Sequence, residues 1–188
     1  MEPKRISVPL TDQTIMNLHA GDNILISGVI YTARDAAHKK MIELLEKKET
    51  LPFPLAGQII YYVGPTPAKP GRVIGSAGPT TSGRMDAYTP PLLEKGLKAV
   101  IGKGSRNGAT VKAIKDNQCI YLAATGGAGA LLARTIQEAE IVAYPELGPE
   151  AIRRLVVEDF PATVINDAYG NDLYAQGRRQ YENRIRRS

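Results

Sequence analysis

The sequence predicts an α/β fold built on a mixed β-sheet with helices against it, and two observations carry that reading. Short β-branched, apolar runs alternate along the chain with segments whose apolar residues recur at helical spacing, the pattern of interleaved strands and helices. Between residues 58 and 78, however, two strand-like runs are joined only by a Pro/Gly-rich link, too short for the crossover that a parallel pair needs. A purely parallel sheet is therefore not expected.

The first strand is read at residues 23–31 (NILISGVIY), and the first long helix at 35–48 (DAAHKKMIELLEKK). In that helix Ala36, Ala37, Met41, Leu44 and Leu45 fall on one face, behind an Asp whose charge suits the positive end of the helix dipole. Further strands are predicted at 58–63, 72–76, 98–102, 119–123 and 162–166, and further helices at 91–95, 110–116 and 128–138. No linker, repeat or low-complexity block divides the chain, so residues 1–188 are expected to form one domain, with a basic terminal segment at 177–188.

Composition narrows the class. The chain is 43% hydrophobic and 23% charged, and no apolar run approaches the roughly 20 residues of a membrane helix. The start, MEPKRISVPLTDQ, has no apolar stretch behind its basic residues, so a secretory signal is not read and a cytoplasmic location is expected. A lone cysteine, Cys119, forms no internal disulfide and by itself builds neither a zinc nor an iron–sulfur site. Any metal chemistry must borrow its ligands from another chain. The net charge of +5 suits a small anionic substrate or nucleic acid. The basic tail (Arg178, Arg179, Arg184, Arg186, Arg187) offers few aromatics for base stacking and reads most simply as a solvated helix, which places nucleic acid second.

Chemistry concentrates in three loops where Gly, Thr and cationic residues follow apolar strands, the end at which open α/β sheets bind ligands. They are TARDAAH (32–38), GPTTSGRMD (78–86) and IGKGSR (101–106), and each supplies a cation: Arg34, Arg84 and Lys103. In the middle loop the hydroxyls of Thr80, Thr81 and Ser82 stand beside a guanidinium, and free backbone N–H groups complete a receptor suited to a carboxylate. Asp86 is placed to orient Arg84; the plainer alternative is a polar turn with a surface Arg–Asp pair. His38, four residues after Arg34, is either a proton carrier near neutral pH or a helix-face histidine without a chemical task. Lys103 between two glycines is either a ligand group or an exposed lysine on a turn. TGGAGA (125–130) lacks the spacing of a phosphate loop and reads as small-residue packing, and GPTPAKP (64–70) as a stiffened structural or interface loop.

Taken in order, GDNILISGVIYTARDAAHKK, LPFPLAGQIIYYVGPTPAKPGRVIGSAGPTTSGRMDAY, IGKG, TGGAGALLA, ELGPEAI and VEDFPATVINDAYGNDLY resemble the C-terminal, β-subunit portion of the class I fumarases, over about residues 21–174. The resemblance implies the family's swivelling β/β/α domain. It also implies a 4Fe–4S cluster ligated by a partner α subunit and not by this chain, a hetero-oligomer, and a substrate site in the cleft between subunits. In that family an iron of the cluster acts as Lewis acid toward the substrate hydroxyl while cations neutralise charge building on the carboxylate. Carried over, Arg34, Arg84 and Lys103 clamp the carboxylates of fumarate or malate, Thr81 lies in the same binding loop, and Thr80 holds the position of the catalytic base. L(+)-tartrate dehydratase β subunits share the architecture and are the alternative, with Ala33, Ala37 and Gly83 favouring fumarate. A non-catalytic anion- or nucleic-acid-binding module is the reading from another class.

Overall fold

A computed structural model describes residues 2–185; Arg186 and Arg187 of the basic tail lie outside the described residues. Strands run at β1 (Lys4–Ser7), β2 (Asn23–Thr32), β3 (Ile59–Tyr61), β4 (Ala99–Gly102), β5 (Ile120–Ala123), β6 (Ile136–Ala143) and β7 (Ile152–Asn166). Helices run at α1 (Asp12–Met16), α2 (Asp35–Glu46), α3 (Thr89–Glu94), α4 (Gly108–Asp116), α5 (Gly129–Leu132) and α6 (Leu173–Ile185), with 3-10 turns at Ser82–Met85, Ala133–Thr135 and Pro145–Glu150.

Among the described residues these strands form one mixed sheet of seven, in the order β1-β2-β3-β4-β5-β7-β6. The first five are mutually parallel, and β7 runs antiparallel to β2, β5 and β6. Because β7 pairs with β2 along one edge and with β5 along the other, the circuit β2-β3-β4-β5-β7 closes on itself.

Strand alternation sorts the side chains into two cores. Ile59, Tyr61 and Val63, Ala99 and Ile101, and Ile120 and Leu122 point inside the closed circuit and meet Ile24, Ile26, Ile30, Leu155, Val157, Phe160 and Val164. Ile60, Tyr62, Val100 and Tyr121 point the other way, against Ala37 and Met41 of α2, Leu92 and Leu93 of α3, and Ile114 of α4. Strands buried on both faces need apolar residues at successive positions, which is why β3, β4 and β5 read as continuous apolar runs. The result is three layers, antiparallel strands over parallel strands over helices, the β/β/α arrangement expected.

One predicted strand is absent and one predicted helix is cut short. Residues 72–76 form no strand: the chain folds back on the proline-rich limb, with Thr66 donating its N–H to the Ser76 carbonyl at 3.1 Å and Ser76 donating its N–H to Thr66 Oγ1 at 2.8 Å. The mixed character of the sheet comes instead from β7. Residues 128–138 are helical only through α5 and the 3-10 turn that follows, after which β6 begins and pairs with β7, so strand pairing overrides the helical spacing of the sequence. No helix among the described residues is long and apolar enough to cross a membrane.

Phe160 ties the antiparallel layer to the parallel one. Its ring is fully buried and meets Tyr61 edge-on, with centroids 5.1 Å apart. Phe160→Ala is expected to lower unfolding free energy by about 3–5 kcal/mol, as deletion of a buried aromatic does. Chemical denaturation of both proteins checks this.

Candidate active site

All three cation-bearing loops leave the same end of the parallel strands. Arg34 follows β2 and caps α2, the segment carrying Thr80 to Asp86 is the return limb of the loop after β3, and Lys103 follows β4. Backbone hydrogen bonds lace the second and third loops together. Thr80 donates its N–H to the Tyr62 carbonyl at 2.7 Å, Lys103 donates to the Thr80 carbonyl at 3.2 Å, and Ser82 donates to the Lys103 carbonyl at 2.8 Å. Thr81 and Lys103 thus pair as a one-residue parallel bridge. Such closeness demands Gly102, where a Cβ would fall 2.0 Å from Ser82 Oγ.

The arginines converge on one carboxylate. Arg84 Nε donates to Asp35 Oδ1 at 2.9 Å, and Arg34 Nη2 lies 3.6 Å from Asp35 Oδ2 and 3.5 Å from Glu150 Oε1. Glu150 also accepts the Ala36 N–H at 2.8 Å, anchoring the first turn of α2 beneath Arg34. The expected Arg84–Asp86 pair does not form. Asp86 turns inward to Arg106, whose Nε donates to Asp86 Oδ1 at 2.6 Å. The reason is that Asp86 ends the 3-10 turn and faces the helix layer, whereas Arg84 projects outward with 52% of its side chain exposed.

Donor capacity remains after these contacts. Among the described residues Arg34 Nε is buried without an acceptor, both terminal nitrogens of Arg84 are unpaired, and Lys103 is exposed with no carboxylate partner. The Thr80 and Thr81 hydroxyls make no side-chain hydrogen bond among the described residues. Three cations against two carboxylates, with donors unspent, suit an anion carrying more than one carboxylate.

His38 is fully buried. Its backbone N–H and its Nδ1 both donate to the Arg34 carbonyl, each at 2.8 Å, while Nε2 has no partner among the described residues. The ring meets Tyr62 edge-on and leans on Tyr88. Burial pushes its pKa down to about 4, helped by the positive charge of Arg106, so the imidazole is neutral at pH 7. Ala33 and Ala37 are likewise buried, in the core under the helices, so any influence they have on substrate choice is not by contact. In TGGAGA the packing reading holds: a Cβ on Gly129 would lie 2.4 Å from Ser76 Oγ, and the Ala77 N–H donates to the Gly129 carbonyl at 3.0 Å. A cavity of about 480 Å³ between residues 66–76 and 130–136 contains none of Arg34, Thr80, Arg84 or Lys103.

Sequence reasoning missed Glu150 and the partnership of Asp86. Glu150 lies more than a hundred positions from Arg34, and no local spacing signals the contact. Among the described residues no three His, Cys, Asp or Glu side chains converge to hold an ion. Cys119 is buried, its thiol pushed up to about 12 by burial and directed at the Leu97 carbonyl 3.1 Å away. One such thiol does not fit an iron–sulfur cluster.

Comparison with known proteins places these features. The family described as fumarase C-terminus matches residues 2–177. Fumarate hydratase 2 of Leishmania major is 37% identical over 166 residues, which cover 87% of this chain and 29% of that protein. The aerobic class I fumarate hydratase of Escherichia coli is 42% identical over 153 residues, 80% of this chain and 28% of that protein. A Methanocaldococcus jannaschii chain that carries the name L(+)-tartrate dehydratase subunit beta is 40% identical over 173 residues, covering 89% of both chains. This chain thus spans under a third of the length of the two fumarate hydratases and nearly all of the third relative.

The buried imidazole makes stability depend on pH with a definite sign. Between 6.5, its ordinary value, and about 4, its value when folded, the unfolded chain binds the extra proton. His38 therefore weakens folding as pH falls through that window, by about 3 kcal/mol when complete. Denaturation at pH 7 and at about pH 4.5 should show a smaller loss in His38→Gln than in the native protein.

Proposed function

The chain belongs to the fumarase C-terminus family, and from that premise we propose that it is the β subunit of a hydro-lyase that reversibly hydrates fumarate to (S)-malate together with an α subunit. The observation that carries this reading is the meeting of Arg34 and Arg84 over Asp35, beside the Thr81–Lys103 bridge, with donors left over for a dicarboxylate. The active unit is a hetero-oligomer in the cytoplasm, and the clamp is half of a site that the α subunit completes. Ligation of the 4Fe–4S cluster belongs, in this reading, to the α subunit, which the poor fit of this chain's single buried thiol supports.

The clamp answers a specific difficulty. Dehydrating malate requires loss of a weakly acidic C–H proton next to a carboxylate, which puts further negative charge on that carboxylate. Fixed cations in a site that excludes water stabilise this charge without reorganising. Arg34 and Arg84 grip the carboxylates, Lys103 adds a point charge, and Thr81 orients the bound acid. Thr80 accepts the proton. A hydroxyl does so only as its alkoxide, so the same cations must also lower the energy of that form. His38 acts through the Arg34 carbonyl it holds, fixing the start of α2, and not on the substrate itself.

The alternative substrate is L(+)-tartrate, favoured by the match to the separate, similarly sized Methanocaldococcus jannaschii chain. The deciding experiment is anaerobic co-expression with the cluster-bearing partner and comparison of turnover on malate and on L(+)-tartrate. Preference for malate supports the fumarase reading, preference for tartrate replaces it, and purification of the chain bound to nucleic acid with no turnover removes the enzyme reading altogether. In the same complex, Arg84→Ala should lower kcat/KM by about 10²–10³-fold, the usual effect of deleting one preorganised charge-stabilising donor. Its thermal midpoint should stay near that of the native complex, because the side chain is exposed and contributes little to the fold.

A further inference from the structure

Behind the cation loops lies a buried arginine for which the clamp has no direct use. The Arg106 side chain is 0% exposed. Its Nε donates to Asp86 Oδ1, its Nη2 donates to Thr89 Oγ1 at 2.8 Å, and its Nη1 donates to the Tyr62 hydroxyl at 3.3 Å. The guanidinium also lies between two rings, 5.4 Å from the centroid of Tyr62 and 5.2 Å from that of Tyr121. These contacts come from three parts of the site. Asp86 and Thr89 follow the 3-10 turn that carries Arg84, Tyr62 accepts the Thr80 N–H through its carbonyl, and Tyr121 donates its hydroxyl hydrogen to the Gly104 carbonyl at 2.7 Å. The far oxygen of Asp86 accepts the Asn107 N–H at 2.8 Å, so the two loops are joined from both sides of the ion pair.

Burying an arginine beside only one carboxylate is unfavourable unless its remaining donors and its faces are also satisfied. Here they are: Arg106, itself in the Lys103 loop, is satisfied by Asp86 and Thr89 after the Arg84 turn, by Tyr62 at the end of β3 and by the ring of Tyr121 on β5. Arg106, Thr89, Tyr62 and Tyr121 at the centre of this network are buried. The network's effect is to fix one loop against the other, and hence the span between Arg84 and Lys103.

We propose that Arg106 is a positioning residue whose fork, locked on Asp86, Thr89 and Tyr62, sets the spacing of the two carboxylate-binding arms and so selects the length of the dicarboxylate. This rests on the reading of Arg84 and Lys103 as carboxylate-binding groups. A lysine at position 106 keeps the charge but serves Asp86, Thr89 and Tyr62 poorly, because a single ammonium lacks the planar fork. The loops then gain freedom relative to each other while Arg84 and Lys103 themselves are unchanged.

The test uses the complex with the cluster-bearing partner and two unreactive probes, succinate with four carbons and glutarate with five, whose Kd values are measured by calorimetry. Kinetic constants for malate and thermal midpoints are measured alongside. Arg106→Lys is expected to raise the Kd for succinate by about tenfold or more, to leave that for glutarate within about threefold, and to raise KM more than it lowers kcat. A uniform loss of folded protein would lower the binding-competent fraction for both probes equally and leave their Kd ratio unchanged. Tyr62→Phe removes one acceptor and keeps the ring, so it should move the ratio in the same direction by a smaller factor; it decides the matter where Arg106→Lys fails to assemble. An unchanged succinate-to-glutarate ratio in the assembled variant overturns the inference. If Arg84→Ala also leaves succinate binding unaltered, the clamp reading itself falls; if Arg84→Ala abolishes succinate binding, only the role of Arg106 is lost.

Discussion

The fifteen-residue strand β7 holds the molecule in register. Along one edge it pairs with β2 from Thr163 back to Arg154, and along the other it pairs first with β6 and then with β5. Without that double pairing the five parallel strands would form an open sheet, free to twist, and β2 and β5 would not be tied through a common partner. With it, the circuit closes around a core in which Phe160 meets Tyr61. The ends of β2, β3 and β4 then become fixed mounting points for Arg34, Thr80 and Lys103. The antiparallel layer contributes Glu150 at its entrance and otherwise serves the site through geometry.

The two kinds of ion pair near the site differ in what they permit. Arg84–Asp35 is part-exposed, and surface pairs of this sort are worth about 0–1 kcal/mol, so an arriving carboxylate can replace Asp35 with little loss. Arg106–Asp86 is desolvated, and removing either partner would strand a buried charge. One pair is exchangeable and faces outward; the other is permanent and faces the core. A loop carrying both types beside each other keeps its shape while its outward charges change partners.

Much of this was legible in the sequence because the relevant signals are local. The run from Asn23 and the spacing behind Asp35 place β2 and α2 within a few residues, and the two-sided burial of β3, β4 and β5 shows as unbroken apolar runs. The Gly, Thr and cationic loops mark the functional end of the sheet for the same reason. What escaped depends on contacts distant in the chain. β6 carries exposed Gln137, Glu138 and Glu140 among its apolar residues, and only its pairing with β7 makes it a strand. Residues 72–76 have strand-like composition, but the prolines preceding them turn the chain back on itself. Asp86 stands two residues from Arg84 and twenty from Arg106, and proximity in sequence favoured the wrong partner; which way a 3-10 turn faces is decided by packing.

The placement of Cys119 has a practical side. A thiol sealed in the core and held almost entirely in its protonated form is a poor target for peroxide, alkylating agents or disulfide exchange. The one cysteine of this polypeptide is therefore shielded from oxidative chemistry. On the proposed reading of a cluster-bearing partner, a loss of activity on aeration would not arise at this thiol.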